Sequence, residues 1–427
     1  MAAHAVRRPQ LRPMLVLTMA AGLIAAYVAR VLAMTNGEIL RSDYIIQIVA
    51  GDAMRSGLGS HLYDDRVQWI FYHSVAGADH GGLLLFNHAP LAAVIAAPLS
   101  VLAAVPGHLV WDVLQSLMLV ASCVLVARAA PWPRAVSRWV PAAAVAVALA
   151  GAGTLPMLLE GQDLGETALA LGAAYWCWRR GRMAWGGAAL AAGAVLAKPH
   201  LFVGVLLFIA VWRDRRVVLG ALAGLAIALV LSLIAVGWGG FVGFVGALTE
   251  TARSPLPVLG VNGLVAAMLG SAPVGVGVGV ASEALTLLAA VVFGAAVRRD
   301  GRVLEPALGG ALVLSLAASP HLLPHDLVLI APMLVALLAA AATRDGSQAW
   351  PGRRSMNLVA LWLVLLAAAG ADSVLAIPFR FTPVALAMVA WTCWRECRVQ
   401  RVDVPTVEAP TGIEPATQGL GNLCSIR

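Results

Sequence analysis

Apolar segments of about 20 residues dominate the sequence and restrict the fold more than any other feature. Hydrophobic residues make up 60% of the 427 residues and charged residues 12%, whereas soluble domains carry about a quarter charged residues. Because backbone groups find no water inside a bilayer, these segments are expected to be α-helices. The sequence therefore predicts an all-α, polytopic membrane protein. It excludes a soluble enzyme, a disordered chain and a nucleic-acid-binding module.

The apolar segments predict about twelve transmembrane helices, with both termini on one side of the membrane. The first, residues 13–34, is too long for the core of a signal peptide. The other predicted spans cover residues 108–128, 139–158, 163–178, 184–198, 200–212, 217–237, 274–297, 304–319, 325–343, 356–371 and 381–394.

This division predicts a transmembrane domain over residues 13–398, preceded by a cytoplasmic N-terminus of residues 1–12. Residues 399–427 are polar and rich in Pro and Gly, so we expect a disordered cytoplasmic tail.

Arginine clusters support the predicted orientation because they fall at every second connection, as the positive-inside rule requires. Twenty-two of the 29 Lys and Arg side chains lie on one predicted face, in seven clusters of three and at the C-terminus. They are Arg7, Arg8 and Arg12; Arg128, Arg134 and Arg138; Arg179, Arg180 and Arg182; Arg213, Arg215 and Arg216; Arg298, Arg299 and Arg302; Arg344, Arg353 and Arg354; Arg395, Arg398 and Arg401; and Arg427.

Two predicted outer segments are not simple spans or loops. Residues 89–104 are apolar, but counting them as a span would invert every later connection. Pro90, Pro98 and Pro106 bracket them and favour a short, broken helix on the outer leaflet. Residues 238–273 are rich in Gly, Pro and small apolar residues, which is typical of a lid or a re-entrant stretch.

The first outer loop, residues 35–106, is the longest connection that the sequence predicts. Residues 43–54 and 64–75 have amphipathic patterns, and we expect both to be outer-leaflet juxtamembrane helices. Ser42 or Asp43 would cap the first of them.

Polar side chains gather at the predicted outer ends of the spans, where one cavity would bring them together. These candidate site residues are Asp43, His88, Gln162, Lys198, His200, His321 and His325.

Most of these residues also have a structural interpretation that the sequence leaves open. Asp43 would be a solvated helix cap, and Gln162 would lie in a hydrated loop with acidic neighbours. The His325–Asp326 pair would form an N-cap with a solvated histidine. His88 would be a turn residue, and His200 would mark a helix break.

Lys198 is the most informative single residue because arginine supplies the other 28 cationic side chains. A lone lysine in apolar sequence indicates a position that needs a compact, strongly hydrated ammonium. Pro199 follows it and is expected to break the helix. Such a position suits a lipid-linked phosphate. A lysine that snorkels to the membrane interface is the alternative.

Several short motifs occur in an order that resembles glycosyltransferase family 87, a multi-spanning family of the GT-C class. The pattern covers roughly residues 10–345. Its parts are Asp43 after the first span, GSHLYDDRVQ at 59–68, FNHAPLAAVIAAPLSVL at 86–102, PGHLVW at 106–111, GQ at 161–162, RRGR at 179–182, KP at 198–199 and SPHLLPH at 319–325.

The resemblance implies a GT-C-like bundle that moves a sugar from a polyprenyl-phosphate donor with inversion. In this family the sugar is often mannose or arabinofuranose, and the implied acceptor is a glycolipid or cell-wall glycan outside the cytoplasm. It also implies a bacterial plasma membrane location and an extracytoplasmic active site. No metal ion and no cofactor are implied.

By this resemblance Asp43 matches the catalytic base, and Lys198 and His325 match residues that bind the donor phosphate. We assign Gln162, His88, His200 and His321 to substrate binding. One base and a few cations suffice for such chemistry, because the phosphate leaving group needs positive charge more than a proton.

Three positions depart from the family pattern. The family usually has Tyr-Pro-Pro where this chain has His88-Ala89-Pro90. It often has Asn at the position of Asp163, and it commonly has an aromatic residue at the position of Asp326.

A transporter or a flippase of lipid-linked sugars is the main alternative function. Transporters of this size often contain internal repeats and polar residues at the midplane. Neither feature is evident in this sequence. A purely structural membrane protein would leave Lys198 unexplained.

Overall fold

The computed structural model describes residues 11–77, 84–196, 198–251, 259–270, 273–345, 350–375 and 379–399. These residues form eighteen α-helices and several short 3-10 helices, with no β-strand among them. The predicted N-terminus and tail lie almost entirely outside the described residues.

The α-helices, in chain order, are α1 (Leu11–Leu32), α2 (Asn36–Ile39), α3 (Tyr44–Arg55), α4 (Asp65–Ala76), α5 (Pro90–Ala96), α6 (Ala104–Ala129), α7 (Trp139–Leu149), α8 (Thr154–Glu160), α9 (Gly165–Arg179), α10 (Met183–Leu196), α11 (Val203–Trp212), α12 (Arg215–Thr251), α13 (Val261–Leu269), α14 (Pro273–Arg299), α15 (Leu304–Ala317), α16 (Ile330–Asp345), α17 (Arg353–Val374) and α18 (Thr382–Val399). The 3-10 helices are Gly59–His61, Pro199–Phe202, Gly301–Val303 and Pro324–Leu329.

Six helical segments in the described residues are long and apolar enough to cross a membrane, so the chain is a membrane protein. They are α1, α6, α12, α14, the segment Pro324–Asp345 and α17. α7 and α8, bent by 50°, make a seventh if they count as one span. The other predicted spans coincide with helices, but most of these are shorter than 18 residues. The count of twelve therefore stays a prediction.

The central helix of the bundle is the one that ends at Asp345. In the apolar 18-residue stretch of this helix, 94% of the residues are buried, whereas 17% are buried in the corresponding stretches of α1 and α14. α15 packs beside it and is also almost completely buried. The two peripheral helices expose their apolar side chains, as lipid-facing helices do.

The structure places a helix break at one predicted boundary. The sequence placed the end of a span at residue 237 and a lid or re-entrant stretch after it. α12 is broken at Gly237, whose φ is 66°, and a second helical part follows the break and ends at Thr251. The region also contains α13, while residues 252–258 and 271–272 lie outside the described part of the chain.

The segment before α6 forms a short helix, as its prolines predicted. α5 has seven residues and is about 10 Å long, which is too short to cross a bilayer of about 30 Å. It packs against α3 and α12, so its buried face contacts protein.

Close helix packing fixes α10, whose C-terminal end leads to Lys198. Gly220 and Gly224 of α12 form a GxxxG motif. A Cβ at Gly220 would lie 1.9 Å from the carbonyl oxygen of Ala184, and one at Gly224 would lie 2.2 Å from that of Ala188. Only glycine permits this approach, which is a common way to pack helices in membranes.

A glycine turn joins α8 to α9 and carries one of the candidate site residues. Gly161 adopts φ 59°, and the Gln162 N–H donates to the Met157 carbonyl oxygen over 3.0 Å. The Gly161 N–H bonds to Leu158, which completes a Schellman cap. The Trp111 indole N–H donates to the Gly161 carbonyl oxygen over 2.9 Å. The turn therefore has one defined position against α6.

We predict that Gly161→Ala destabilises the protein more than Gly181→Ala does. Both glycines have positive φ, 59° and 73°, so an alanine Cβ costs about 1–2 kcal/mol at either position. At Gly161 the Cβ would also lie 2.5 Å from the Tyr44 Cβ, whereas Gly181 has open space around it. Apparent melting temperatures in detergent measure the difference. Equal losses would show that the turn is not tightly packed against Tyr44.

Candidate functional site

Asp43 directly precedes α3, but it does not cap that helix. Its side chain makes no capping hydrogen bond, and Ser42 donates instead to the Ile39 carbonyl oxygen. The Asp43 carboxylate accepts a 2.5 Å hydrogen bond from the Gln162 side-chain amide. Its backbone N–H lies 3.4 Å from a Glu160 carboxylate oxygen. The helix-cap interpretation is therefore wrong, because a tertiary contact uses this carboxylate.

The α8–α9 turn is buried, so the hydrated-loop interpretation is also wrong. Gln162 is 1% exposed and Asp163 is fully buried. The αL residue Gly161 turns the chain so that Gln162 faces Asp43. The turn thus positions the Asp43 carboxylate.

Burial raises the pKa of the Asp43 carboxyl above its usual range. The Lys198 ammonium and the His88 ring oppose this increase, whereas Asp326 and Asp163 add to it. All four groups are therefore close enough to interact electrostatically with Asp43. A carboxylate with this partial desolvation is a stronger base than an exposed aspartate.

Lys198 lies at a helix break, as Pro199 predicted. α10 ends at Leu196, and the 3-10 helix Pro199–Phe202 precedes α11. The Ser315 hydroxyl donates to the Leu201 carbonyl oxygen and accepts from the Gly204 N–H, at 2.7 and 2.8 Å. These bonds fix the break against α15.

The Lys198 ammonium is buried and has two partners. It donates to His325 Nε2 over 2.8 Å and to Asp326 Oδ1 over 2.9 Å. Lys198 is 8% exposed, so it does not snorkel to an interface. Because an ammonium has no lone pair, His325 Nε2 must be the acceptor, and the His325 proton is then on Nδ1.

Asp326 is the counter-ion of Lys198, a role that the sequence interpretation did not give it. It is fully buried, and its second carboxylate oxygen accepts the Leu323 N–H over 2.8 Å. His325 is also buried, so this pair is not solvated as predicted, although Asp326 does cap the start of the 3-10 helix Pro324–Leu329 through the Leu323 N–H. A lone lysine in apolar sequence was a signal, because a buried ammonium requires a paired anion.

His88 pairs with Asp163, which the sequence analysis named only as a departure from the family pattern. His88 Nδ1 lies 2.7 Å from Asp163 Oδ2, and both side chains are buried. The Gln47 amide nitrogen lies 3.4 Å from the same ring atom. The Tyr63 hydroxyl donates to the His88 carbonyl oxygen over 2.7 Å. His88 is therefore held by specific contacts and is more than a turn residue.

His200 and His321 complete the group. Burial lowers the pKa of His321, and the Lys198 ammonium lowers it further. His200 interacts electrostatically with Asp326 and Lys198. Its Nε2 is buried without a hydrogen-bond partner among the described residues. The structure therefore brings all seven predicted residues into one electrostatically connected cluster, which we call the Asp43 cluster.

A second buried polar group adjoins Asp43 and was missed in the sequence. Tyr44 packs edge-on against His108, with ring centroids 5.1 Å apart. His108 Nδ1 lies 3.4 Å from Asp112 Oδ2. The i, i+4, i+7 spacing of His108, Asp112 and Gln115 in an apolar helix was the available signal.

The chemistry available in the Asp43 cluster is proton transfer by a carboxylate beside cationic and imidazole groups. Within the described ranges, no three His, Cys, Asp or Glu side chains are grouped to hold a metal ion. The cluster therefore offers a general base and hydrogen-bond donors for an anion.

Comparison with known proteins identifies one family. The model of glycosyltransferase family 87 matches residues 86–320, which is more than half of the chain. The match includes His88, Gln162, Lys198 and His200 and ends one residue before His321. No curated protein and no solved structure matches the chain.

We predict that the buried Lys198–Asp326 pair shows strong coupling in a double-mutant cycle. Asp326→Asn leaves an unpaired buried ammonium, which costs about 3–5 kcal/mol of stability. Adding Lys198→Met removes that charge, so the double variant should be more stable than Asp326→Asn alone. Thermal unfolding in detergent measures all four proteins. Additive losses would show that the two charges do not depend on each other.

Proposed function

The chain belongs to glycosyltransferase family 87, and from this membership we propose that it transfers a sugar from a polyprenyl-phosphate donor to an extracytoplasmic glycan. Family membership and the apolar helices make it a membrane glycosyltransferase. Our proposal adds mannose or arabinofuranose as the sugar and a glycolipid or cell-wall glycan as the acceptor. It also adds a bacterial plasma membrane, twelve GT-C-like spans, cytoplasmic termini and an outward-facing Asp43 cluster.

The observation that carries this proposal is that the buried Asp43 carboxyl interacts electrostatically with Lys198, His88 and His321. In an inverting transfer, the Asp43 carboxylate takes the proton of the acceptor hydroxyl. The hydroxyl oxygen forms a bond to the anomeric carbon, and the carbon–oxygen bond to the donor phosphate breaks. The phosphate leaves with that electron pair. No second carboxylate is needed, because the leaving group requires no proton.

The Gln162 amide has a positioning role in this proposal. Its hydrogen bond to Asp43 Oδ2 leaves the other carboxylate oxygen, Oδ1, to receive a proton. The Schellman cap at Gly161 restricts where Gln162 can lie. Asp43 would therefore keep one orientation while the acceptor binds.

Lys198 would bind the donor phosphate through the one ammonium N–H group that His325 and Asp326 do not use. An ammonium has three donors, and His325 and Asp326 take two of them. A sugar phosphodiester carries one negative charge, so one ammonium hydrogen bond and neighbouring imidazole N–H groups suit it. In this arrangement His325 can donate only through Nδ1.

His200, His321 and His88 would bind the substrates. His200 has an unpartnered buried nitrogen that suits a phosphate or a sugar hydroxyl. His88 is oriented by Asp163, and it interacts electrostatically with Asp43. A flippase of lipid-linked sugars would also need donor-binding groups, but it would not need a base.

We predict that Asp43→Asn abolishes sugar transfer while donor binding remains. The amide cannot accept the hydroxyl proton, and losing a general base typically costs about 10²–10⁴-fold in rate. Membranes given radiolabelled polyprenyl-phosphate mannose or arabinose would report the lipid product and the bound donor separately. Unchanged turnover would exclude Asp43 as the base, whereas donor binding without any sugar transfer by the unaltered protein would favour the flippase function.

Two variants act as references for that measurement. Asp65→Asn changes an exposed aspartate of the same predicted outer loop and should leave turnover unchanged. Lys198→Met should weaken donor binding, which is the opposite pattern to Asp43→Asn. Equal effects of Asp43→Asn and Lys198→Met on binding and turnover would point to a general loss of structure.

We predict an acidic limb in the pH dependence of kcat/KM. The base works only when deprotonated, so the rate falls as pH falls through the pKa of Asp43. Burial raises that pKa, so the midpoint of the fall should lie above about 3.9, the usual pKa of aspartate. Rates measured from pH 4 to 8 locate the limb. A rate that stays constant down to pH 4 would contradict a desolvated base.

A further inference from the structure

A second charged site lies at the far end of α11 from Lys198. α11 has ten residues, so its ends are about 15 Å apart. Lys198 precedes the first residue of α11, and Arg213 follows its last residue. A cavity of about 730 Å³ opens there, between the ends of α11 and α14 and the start of α12. None of its lining residues belongs to the Asp43 cluster.

Three arginines line this cavity, which we call the arginine cavity. They are Arg213, Arg215 and Arg298, and all three are exposed. In the described part of the chain, no carboxylate lies within 4.0 Å of their guanidinium groups. The fourth charged lining residue, Asp214, caps α12 by accepting the Arg216 and Val217 N–H groups. The cavity therefore has an excess of positive charge.

Close contacts between α11 and α14 fix the helix ends that carry the arginines. A Cβ at Gly294 of α14 would lie 2.5 Å from the Phe208 carbonyl oxygen of α11, so these helices are in direct contact. Arg213 adopts φ 60° and ends α11, with its N–H bonded to the Ile209 carbonyl oxygen. The cavity is thus formed by fixed helix ends.

The remaining wall of the arginine cavity is apolar. Trp212, Val218, Leu219 and Val297 line it, and Leu219 is 65% exposed. Cationic side chains at one edge and exposed apolar side chains beside them are typical of the boundary between headgroups and acyl chains. A free inorganic phosphate would leave this apolar wall in contact with water.

We propose that the arginine cavity binds the phosphate group of an anionic membrane lipid, on the membrane face where the sequence places the arginine clusters. Guanidinium groups form paired hydrogen bonds to phosphate oxygens, and their forked donors match that geometry. The acyl chains would lie along Leu219 and the exposed face of α12. The lipid joins the ends of three helices, α11, α12 and α14; α11 follows the break at Lys198, and α12 packs against α10, which precedes it.

Lipid binding to the purified full-length protein tests this proposal. Delipidated protein in neutral detergent is titrated with phosphatidylglycerol, with phosphatidylcholine and with inorganic phosphate, and native mass spectrometry measures the bound fraction. We expect phosphatidylglycerol to bind most tightly. Arg215→Gln together with Arg298→Gln should raise its Kd on the order of ten-fold or more, since each change removes a charge-assisted contact.

Arg353→Gln is the matched control, because Arg353 is exposed, belongs to the same predicted face and lies outside the cavity. It should bind phosphatidylglycerol like the unaltered protein. The single variants Arg215→Gln and Arg298→Gln replace the double variant if that protein elutes as an aggregate.

Three results would overturn the proposal. They are an unchanged Kd in the cavity variants, equal binding of phosphatidylcholine, and binding of inorganic phosphate that displaces phosphatidylglycerol completely. The last result would assign the cavity to a free anion. The assay involves no sugar transfer, so its outcome is independent of the proposed reaction.

Discussion

The arrangement of the site depends on the cost of burying charge. Lys198 lies at a break between two apolar helices, where an unpaired ammonium would be strongly destabilising. Asp326 supplies the opposite charge, and the Leu323 N–H and His325 satisfy further hydrogen-bonding groups. This pairing joins the α10–α11 break to the segment Pro324–Leu329. It therefore places the His321–His325 region against Lys198 and not in solvent.

The same requirement explains how Asp43 is held at the other side of the cluster. Its carboxylate is mostly desolvated, and the Gln162 amide supplies a hydrogen bond that water would otherwise make. Gln162 can reach it because Gly161 adopts a left-handed conformation and packs against Tyr44. A backbone feature of one glycine thus controls the orientation of a carboxylate 118 residues earlier in the chain. Positioning of this kind lowers the reorganisation that proton transfer requires.

Much of the helical fold follows from the sequence, because a bilayer leaves few alternatives to the α-helix. The helix break at Lys198 was also predictable, since proline removes a backbone donor. The pairing of charges was less predictable. His88 and Asp163 are 75 residues apart, and Asp43 and Gln162 are 119 apart. Local patterns contain no information on such contacts, so Asp43 had the local signature of a helix cap. The break of α12 at Gly237 coincides with the predicted end of a span, but the second helical part after it was not predicted, because glycine-rich apolar sequence is equally typical of a re-entrant stretch.

The three positions at which the sequence departs from the expected family pattern all contribute to the electrostatics of the site. His88 and Asp163 stand at two of these positions, and they contact each other. Asp326 stands at the third, and it pairs with Lys198. All three side chains are ionisable, and each has an oppositely charged or ionisable partner within 3 Å. An isolated His88 or Asp326 would carry a desolvation cost without compensation. His88 and Asp163 therefore act as one buried pair, and both members interact electrostatically with the proposed base.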